Sequence, residues 1–382
     1  MKILSISHSC VVSEYQKRMA EVAKYYDVEL TLLVPKHWFQ FNKNVNLKKD
    51  RDSHYRILAV QPITWGCRKK NLRNVTHIYP GIRGILRRLE PDIIELWEEP
   101  FSAVTAHTTF WAKRIIPKTK LIFFSAHNVR KNYPFPFSTF EKYTYKNADY
   151  AFLMSNEVAS VLRSKGYNKG FRVLPLGVNP DIFCKKNVSS LKKQLKLREF
   201  VIGFIGKIDR QKGILDLIEA VSQIRENFQL LIIGNGNLRK EAEHRVKLLG
   251  LRERTTIIDA VPHSQVPDYL NCMDLLVFPS ITLPHLKEQF GRVLIEAMAC
   301  QVPVLGSNSG EIPVILKDTR IVFKERDLED LKNKLVSLIK DNNLRKMIVK
   351  NAYQKVIKNL TWEIIAEKQY QVYGKLIKEI NL

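Results

Sequence analysis

The stretch "KEQFGRVLIEAMACQVPV", residues 287–304, sets two carboxylates, Glu288 and Glu296, around Phe290, Gly291 and Arg292. Such a pair has three readings: an acid/base couple, a clamp on an extended ligand, or two unrelated surface acids. If the whole span were helical, eight residues would separate the acids by roughly 12 Å and about 80° around the axis. Hydrolytic carboxylate pairs sit ~5–5.5 Å apart when retaining and ~6.5–9.5 Å apart when inverting. The spacing therefore argues against an acid/base couple. It suits two acids that hydrogen-bond hydroxyls at opposite ends of one ligand. The N–H groups of Phe290, Gly291 and Arg292 would face whatever lies ahead of the following helix, and that should be electron-rich.

Basic residues stand at a comparable place. In "GFIGKIDRQKGILDLIEA", Gly206 ends an apolar strand-like run and a helix-like run begins after Lys212. Lys207, Arg210 and Lys212 lie between them, so cations and helix-start N–H groups would meet there, as at a phosphate site. The G-x-x-x-x-G-K-[ST] order of a P-loop is absent. In "LLIIGNGNLRKE", Gly234 and Gly236 suggest a dinucleotide fingerprint, but Arg239 occupies the third glycine position. That departure counts against a nicotinamide-dependent oxidoreductase and favours a tight turn beside a ligand or a neighbouring strand. His127, in "LIFFSAHNVRKNYP", falls just past an apolar run, where it either caps the next helix or serves a site. The triplet Asp50–Asp52 imitates a metal-binding DxD, yet it lies within the charged run "LKKDRDSHYR" and reads as a solvated loop.

The elements that must position these residues follow βαβ grammar. Short, continuously apolar runs such as "KILSIS", "VELTLLV", "DIIELW" and "KLIFFSAH" alternate with amphipathic helical runs. This is the pattern of parallel strands covered on both faces. The grammar restarts at "FVIGFIGK", after a Pro-, Gly- and Asn-containing segment at 174–193. The reading is α/β, with two doubly wound domains at 1–180 and 181–360, and ligands bound beyond the carboxyl ends of the strands. A final helix within 361–382 carries an apolar stripe of Val372, Tyr373, Leu376, Ile377 and Ile380.

Bulk properties narrow the classes further. The 382 residues exceed one ordinary core. Cys10, Cys67, Cys184, Cys272 and Cys300 follow no CxxC or Cys/His spacing, which argues against a disulfide framework or a zinc site. No run reaches the ~18 apolar residues of a membrane span. The expectation is a cytoplasmic protein that touches a membrane, if at all, from the inner face. Net charge is +24, with +15 in residues 1–180 and +9 in the remainder. Such a field attracts phosphates, nucleic acid or anionic lipid. It equally fits a Lys-rich proteome. Ile82, Ile85, Leu86 and Leu89 form an apolar face beside Arg83, Arg87 and Arg88. That helix reads either as membrane-associated or as an ordinary buried helix with a wet basic edge.

The stretch "EQFGRVLIEAMACQVPV" resembles the signature of the large retaining glycosyltransferase family four, the group 1 glycosyl transferases. "GFIGKIDRQKG", "LLIIGNGNLRKE" and "SNSGEIPVI" are similar to that family's phosphate loop, glycine turn and post-signature segment. The likeness covers about 200 residues strongly and the N-terminal half mainly in layout. It implies the GT-B architecture: two facing Rossmann-like domains with a C-terminal helix crossing back. It also implies transfer, with retention, of a hexose-type sugar from a nucleotide-diphosphate sugar to a hydroxyl acceptor. By resemblance, Glu288 binds sugar hydroxyls and Glu296 the ribose. Phe290, Gly291 and Arg292 present N–H groups. Lys207 and Lys212 hold the diphosphate, with Gly206 and Arg210 in the same loop, and Val261 lies at the base. His127 faces the donor sugar. No metal or other cofactor is implied, because lysines and helix N-termini do a cation's work. Lys207 replaces the family's usual arginine, which removes bidentate geometry. Gln301 stands where glycine is usual. The implied partners are the donor, a glycan or lipid-linked acceptor and an anionic membrane surface, in cell-envelope glycan assembly. Two other classes remain open: a sugar-nucleotide epimerase or hydrolase on the same architecture, and a basic nucleic-acid-binding protein. The latter lacks aromatic-basic RNA signatures.

Overall fold

The computed structural model describes residues 1–40, 43–49, 54–65 and 72–379. The Asp50–Asp52 triplet, Ile380 and most of the basic run at 66–73 lie outside them. The chain forms two units, Met1–Pro175 with Trp362–Leu382, and Leu176–Thr361. The sequence pattern places the boundaries at 180/181 and 360/361.

The first unit holds seven parallel strands: β1 (Lys2–Ile6), β2 (Glu29–Val34), β3 (Arg56–Ala59), β4 (Ile93–Leu96), β5 (Lys120–Ser125), β6 (Tyr150–Leu153) and β7 (Gly170–Val173). Their order is β7-β6-β5-β4-β1-β2-β3. Every residue of β4 is buried, as a central strand covered on both faces requires. Two short antiparallel pairs that the sequence did not announce, His37–Gln40 with Lys43–Asn46 and Ile63–Thr64 with His77–Ile78, lie outside this sheet.

The second unit repeats the plan with β8 (Phe200–Ile205), β9 (Phe228–Ile233), β10 (Thr255–Ile258), β11 (Leu275–Phe278), β12 (Val304–Ser307) and β13 (Val322–Phe323), ordered β10-β9-β8-β11-β12-β13. Strand order reverses between β1 and β4 in one sheet and between β8 and β11 in the other. At such a reversal, connections leave toward opposite faces and open a crevice beyond the strand ends.

Ile82, Ile85 and Leu86 of the helix Ile82–Leu89 are buried within the first unit, while Arg83, Arg87 and Arg88 are exposed. Its apolar face is therefore core, and only the basic edge meets solvent. Among the described residues, no helix is long and apolar enough to cross a membrane.

The C-terminal helix Trp362–Lys378 belongs to the first unit's core through Ile365, Ala366, Val372, Tyr373 and Leu376. A buried polar network fixes it there. Glu95 of β4 accepts hydrogen bonds from Tyr373 Oη at 2.6 Å and from Gln369 Nε2 at 2.9 and 3.0 Å. Arg18 donates to Glu95 at 3.2 Å and to Gln369 Oε1 at 3.2 Å. Burial pushes the Glu95 carboxyl above its usual range, and Arg18, Tyr373 and Gln369 pull against that shift. Arg18→Met would leave a buried carboxylate without its cation. It should cost about 3–5 kcal/mol in urea unfolding at neutral pH. The loss should shrink as pH falls and Glu95 takes up a proton. A cost below about 1 kcal/mol would show that the pair does not anchor the helix.

Candidate functional site

The basic loop leaves β8 at Gly206, whose N–H donates to Ile233 O at 3.0 Å. The glycine turn after β9 lies backbone against backbone on this loop. A Cβ on Gly234 would stand 1.9 Å from Gly206 O, and one on Gly236 would stand 2.0 Å from Ile208 O. Those glycines thus serve close approach between neighbouring segments. Asp209 accepts the N–H of Lys212 at 3.2 Å and caps the short turn Arg210–Lys212. Gly213, at φ +65°, then passes Pro279 so closely that a Cβ would fall 1.8 Å from its carbonyl oxygen. The helix Ile214–Ser222 follows. Lys207 is exposed, with Nζ 3.0 Å from Asp209 Oδ2, and Arg210 is exposed beside it. Lys212 turns inward.

Its target is Glu288, on the segment after β11. Lys212 Nζ donates to Glu288 Oε2 at 2.6 Å, and Ser280 Oγ donates to the same oxygen at 3.0 Å. The ammonium also lies 5.0 Å from the centre of the Phe278 ring, within cation–π range. Glu288 is buried at 7% exposure. The segment after β12 supports it: Glu311 N–H donates to Glu288 O at 3.2 Å, and a Cβ on Gly310 would meet that oxygen at 2.0 Å. Loops from β8, β11 and β12 therefore converge on one carboxylate at the reversal point of the sheet.

The span between the two glutamates is not a continuous helix. Glu288 lies in the loop, and the helix Arg292–Ala299 begins only after Gly291, which adopts φ +81°. Among the described residues no side chain caps that helix, although Leu294 N–H returns to Gly291 O at 2.9 Å. Phe290 is buried, and Arg292 is half-buried. Glu296 sits inside the helix at 4% exposure, with Oε1 2.8 Å from His263 Nε2. The two carboxylates thus have different basic partners, Lys212 and His263, and form no shared pair. His263 was missed from the sequence. It lies in the loop after β10, two residues beyond Val261, which is half-buried there. The rule that selected His127, a histidine just past a strand, would also have found His263.

His127 lies in the first unit, whereas the other candidate site residues belong to the second. Its Nδ1 is 2.9 Å from Tyr133 Oη, and its ring is 5.2 Å from Phe101, which itself stacks on Tyr133 at 3.9 Å. The next helix, Phe137–Asn147, begins after Pro136, so His127 caps no helix.

Two doubly wound parallel sheets in this chain order, with the last helix returned to the first unit, define the GT-B fold class. A glycosyltransferase of Rickettsia africae ESF-5 matches over 99% of this chain and 98% of its own, with a TM-score of 0.77 at 19% identity. Anabaena HepE, solved in complex with UDP, matches over 98% of this chain and 100% of its own, with a TM-score of 0.76 at 17% identity. Residues 186–355 match the family of glycosyl transferases group 1. The capsular polysaccharide biosynthesis glycosyltransferase CapM of Staphylococcus aureus is 31% identical over 186 residues, 47% of each chain. The chain spans about half the length of the curated relatives it matches first.

The glycine geometry is directly testable. Gly310→Ala combines φ +52° with a Cβ 2.0 Å from Glu288 O, whereas Gly250→Ala has φ +68° and nothing within 4 Å. The left-handed conformation alone costs about 1–2 kcal/mol. Gly310→Ala should be the more destabilising of the two in thermal unfolding. Equal effects would mean that the approach to Glu288 is not tight.

Proposed function

We propose that the chain is a retaining glycosyltransferase. It transfers a hexose-type sugar from a nucleotide-diphosphate sugar to a hydroxyl of a glycan or lipid-linked acceptor, in cell-envelope glycan assembly at the inner face of the membrane. The observation that carries this reading is the 2.6 Å Lys212–Glu288 contact at the sheet's reversal point, beside the uncapped helix after Gly291. An ammonium has three N–H donors. Glu288 takes one from Lys212, leaving others to meet the diphosphate and neutralise the departing nucleotide. Lys207, Arg210 and the N–H groups of Gly291 and Arg292 add positive potential where that charge develops. Glu288 accepts hydrogen bonds from sugar hydroxyls. Glu296, oriented by His263, takes the ribose hydroxyls, and Val261 lines the base.

In the transfer, the bond from the anomeric carbon to the phosphate oxygen breaks, and the acceptor oxygen bonds to that carbon on the same face. The acceptor's proton passes to the leaving phosphate. His127 hydrogen-bonds the sugar or supports charge at the anomeric carbon. Lysines and helix N–H groups do this work without a metal on the diphosphate. The exposed Arg83, Arg87 and Arg88 suit an anionic acceptor or membrane surface. The capsular role in the name of CapM and the UDP bound to HepE support the reading of glycan assembly and a nucleotide donor.

Glu288→Ala should lower turnover by at least about 100-fold, as loss of a transition-state contact does, while nucleotide binding persists. Glu296→Ala should weaken nucleotide binding about tenfold, the equivalent of roughly one hydrogen bond. Wild-type turnover in both variants would rule out the clamp. A thermal-shift panel of nucleotide sugars should raise the melting temperature for one base and hexose. Stabilisation by RNA alone would favour the nucleic-acid reading instead. NMR of the products should show the acceptor glycosylated with retention and no change in rate on adding Mg²⁺ or Mn²⁺. Free or isomerised sugar without acceptor would indicate a hydrolase or epimerase.

A further inference from the structure

We propose that His8, His77 and Glu98 form a binding site for a divalent cation of the zinc class, wholly within the first unit. Each residue offers a ligand atom, and these atoms lie within 4.8 Å of one another. His8 follows β1 and Glu98 follows β4, the neighbouring strands at which that sheet reverses order. His77 opens the short strand His77–Ile78. The three side chains are therefore brought together at the place where doubly wound sheets bind ligands.

Glu98 is buried at 3% exposure, and His77 is fully buried. His77 Nδ1 lies 3.3 Å from Arg73 O, an acceptor with no proton of its own, so Nδ1 carries the ring's hydrogen. In the neutral ring, Nε2 then presents a lone pair. Among the described residues that atom is buried without a hydrogen-bond partner, and it stands 3.7 Å from Glu98 Oε1. In this tautomer the Nε2 lone pair faces Glu98 Oε1. A backbone carbonyl that fixes the far nitrogen of an imidazole is also what orients metal-binding histidines.

The remaining geometry is compatible. His8 Nδ1 lies 2.7 Å from both Glu98 oxygens, and His8 N–H donates to Oε1 at 2.7 Å, which anchors the carboxylate. Ligands about 2.0–2.1 Å from a tetrahedral zinc stand roughly 3.3 Å apart. The 3.7 Å His77–Glu98 separation is near that value. The 2.7 Å His8–Glu98 contact must lengthen as the ion replaces its proton, which moves to His8 Nε2. Two imidazoles and one carboxylate select zinc-class over hard cations, and three protein ligands leave a fourth position for an oxygen ligand. Trp38 walls the cluster, with its ring centre 5.2 Å from that of His8 and 5.0 Å from that of His77.

This inference is independent of the donor chemistry, and its test uses neither donor nor acceptor. The full chain is stripped with a chelator and titrated with Zn²⁺ by calorimetry and with Co²⁺ by visible absorption. The expected result is one equivalent per chain, with a Co²⁺ band of nitrogen and oxygen ligation. His77→Ala and His8→Ala, checked for folding by circular dichroism, should each weaken binding at least about 10–100-fold. Cys10→Ser should leave binding unchanged. Unaltered binding in both histidine variants would overturn the site. So would the absence of a Co²⁺ band at one equivalent in the wild type, a result that needs no variant to fold.

Discussion

The ammonium of Lys212 reaches the Glu288 carboxylate at 2.6 Å, and the second unit's site is built around that contact. The pair joins the loop after β8 to the loop after β11 across the sheet's reversal point. Gly213 lets the first loop pass against Pro279, and Gly310 lets the segment after β12 close behind Glu288. A side chain at either glycine would push apart the backbones that bring the charges together. The nearly complete burial of Glu288 gives the pair a low-dielectric setting, where its geometry matters more than in water.

A second buried carboxylate, Glu95, plays a structural part in the first unit. Arg18, Gln369 and Tyr373 converge on it from a helix near the start of the chain and from the last helix. Apolar packing of Val372, Tyr373 and Leu376 supplies the affinity between those elements. The polar network supplies register, because a shifted helix would leave Glu95 buried without its donors. The fold therefore uses buried carboxylates in two ways: Glu95 is closed off by packing, and Glu288 lies where strand order opens a crevice.

Much of the architecture was legible because parallel strands buried on both faces read as short, continuous apolar runs, as at "DIIELW" and "FVIGFIGK". The helix Ile82–Leu89 was ambiguous, since an amphipathic stripe suits a membrane surface as well as a core. Burial of Ile82, Ile85 and Leu86 resolves it as a core helix. The pair His37–Gln40 with Lys43–Asn46 gave no warning, because a short strand of mixed polarity lacks a clear period. His263 meets Glu296 across 33 residues, a pairing that local pattern around either residue does not reveal.

The sequence by itself determined the residue types of the site and their local setting: the acids around Phe-Gly-Arg, the basic loop after a strand, and the glycines where backbones meet. These are local properties, set by strand ends, helix starts and backbone freedom within a few residues. Only the tertiary structure decided the partners. Lys212 meets Glu288 across 76 residues, and His8 meets Glu98 across 90. Such contacts depend on strand order, because the crossover connections choose which strand ends become neighbours. Periodicity within a segment carries no record of that choice.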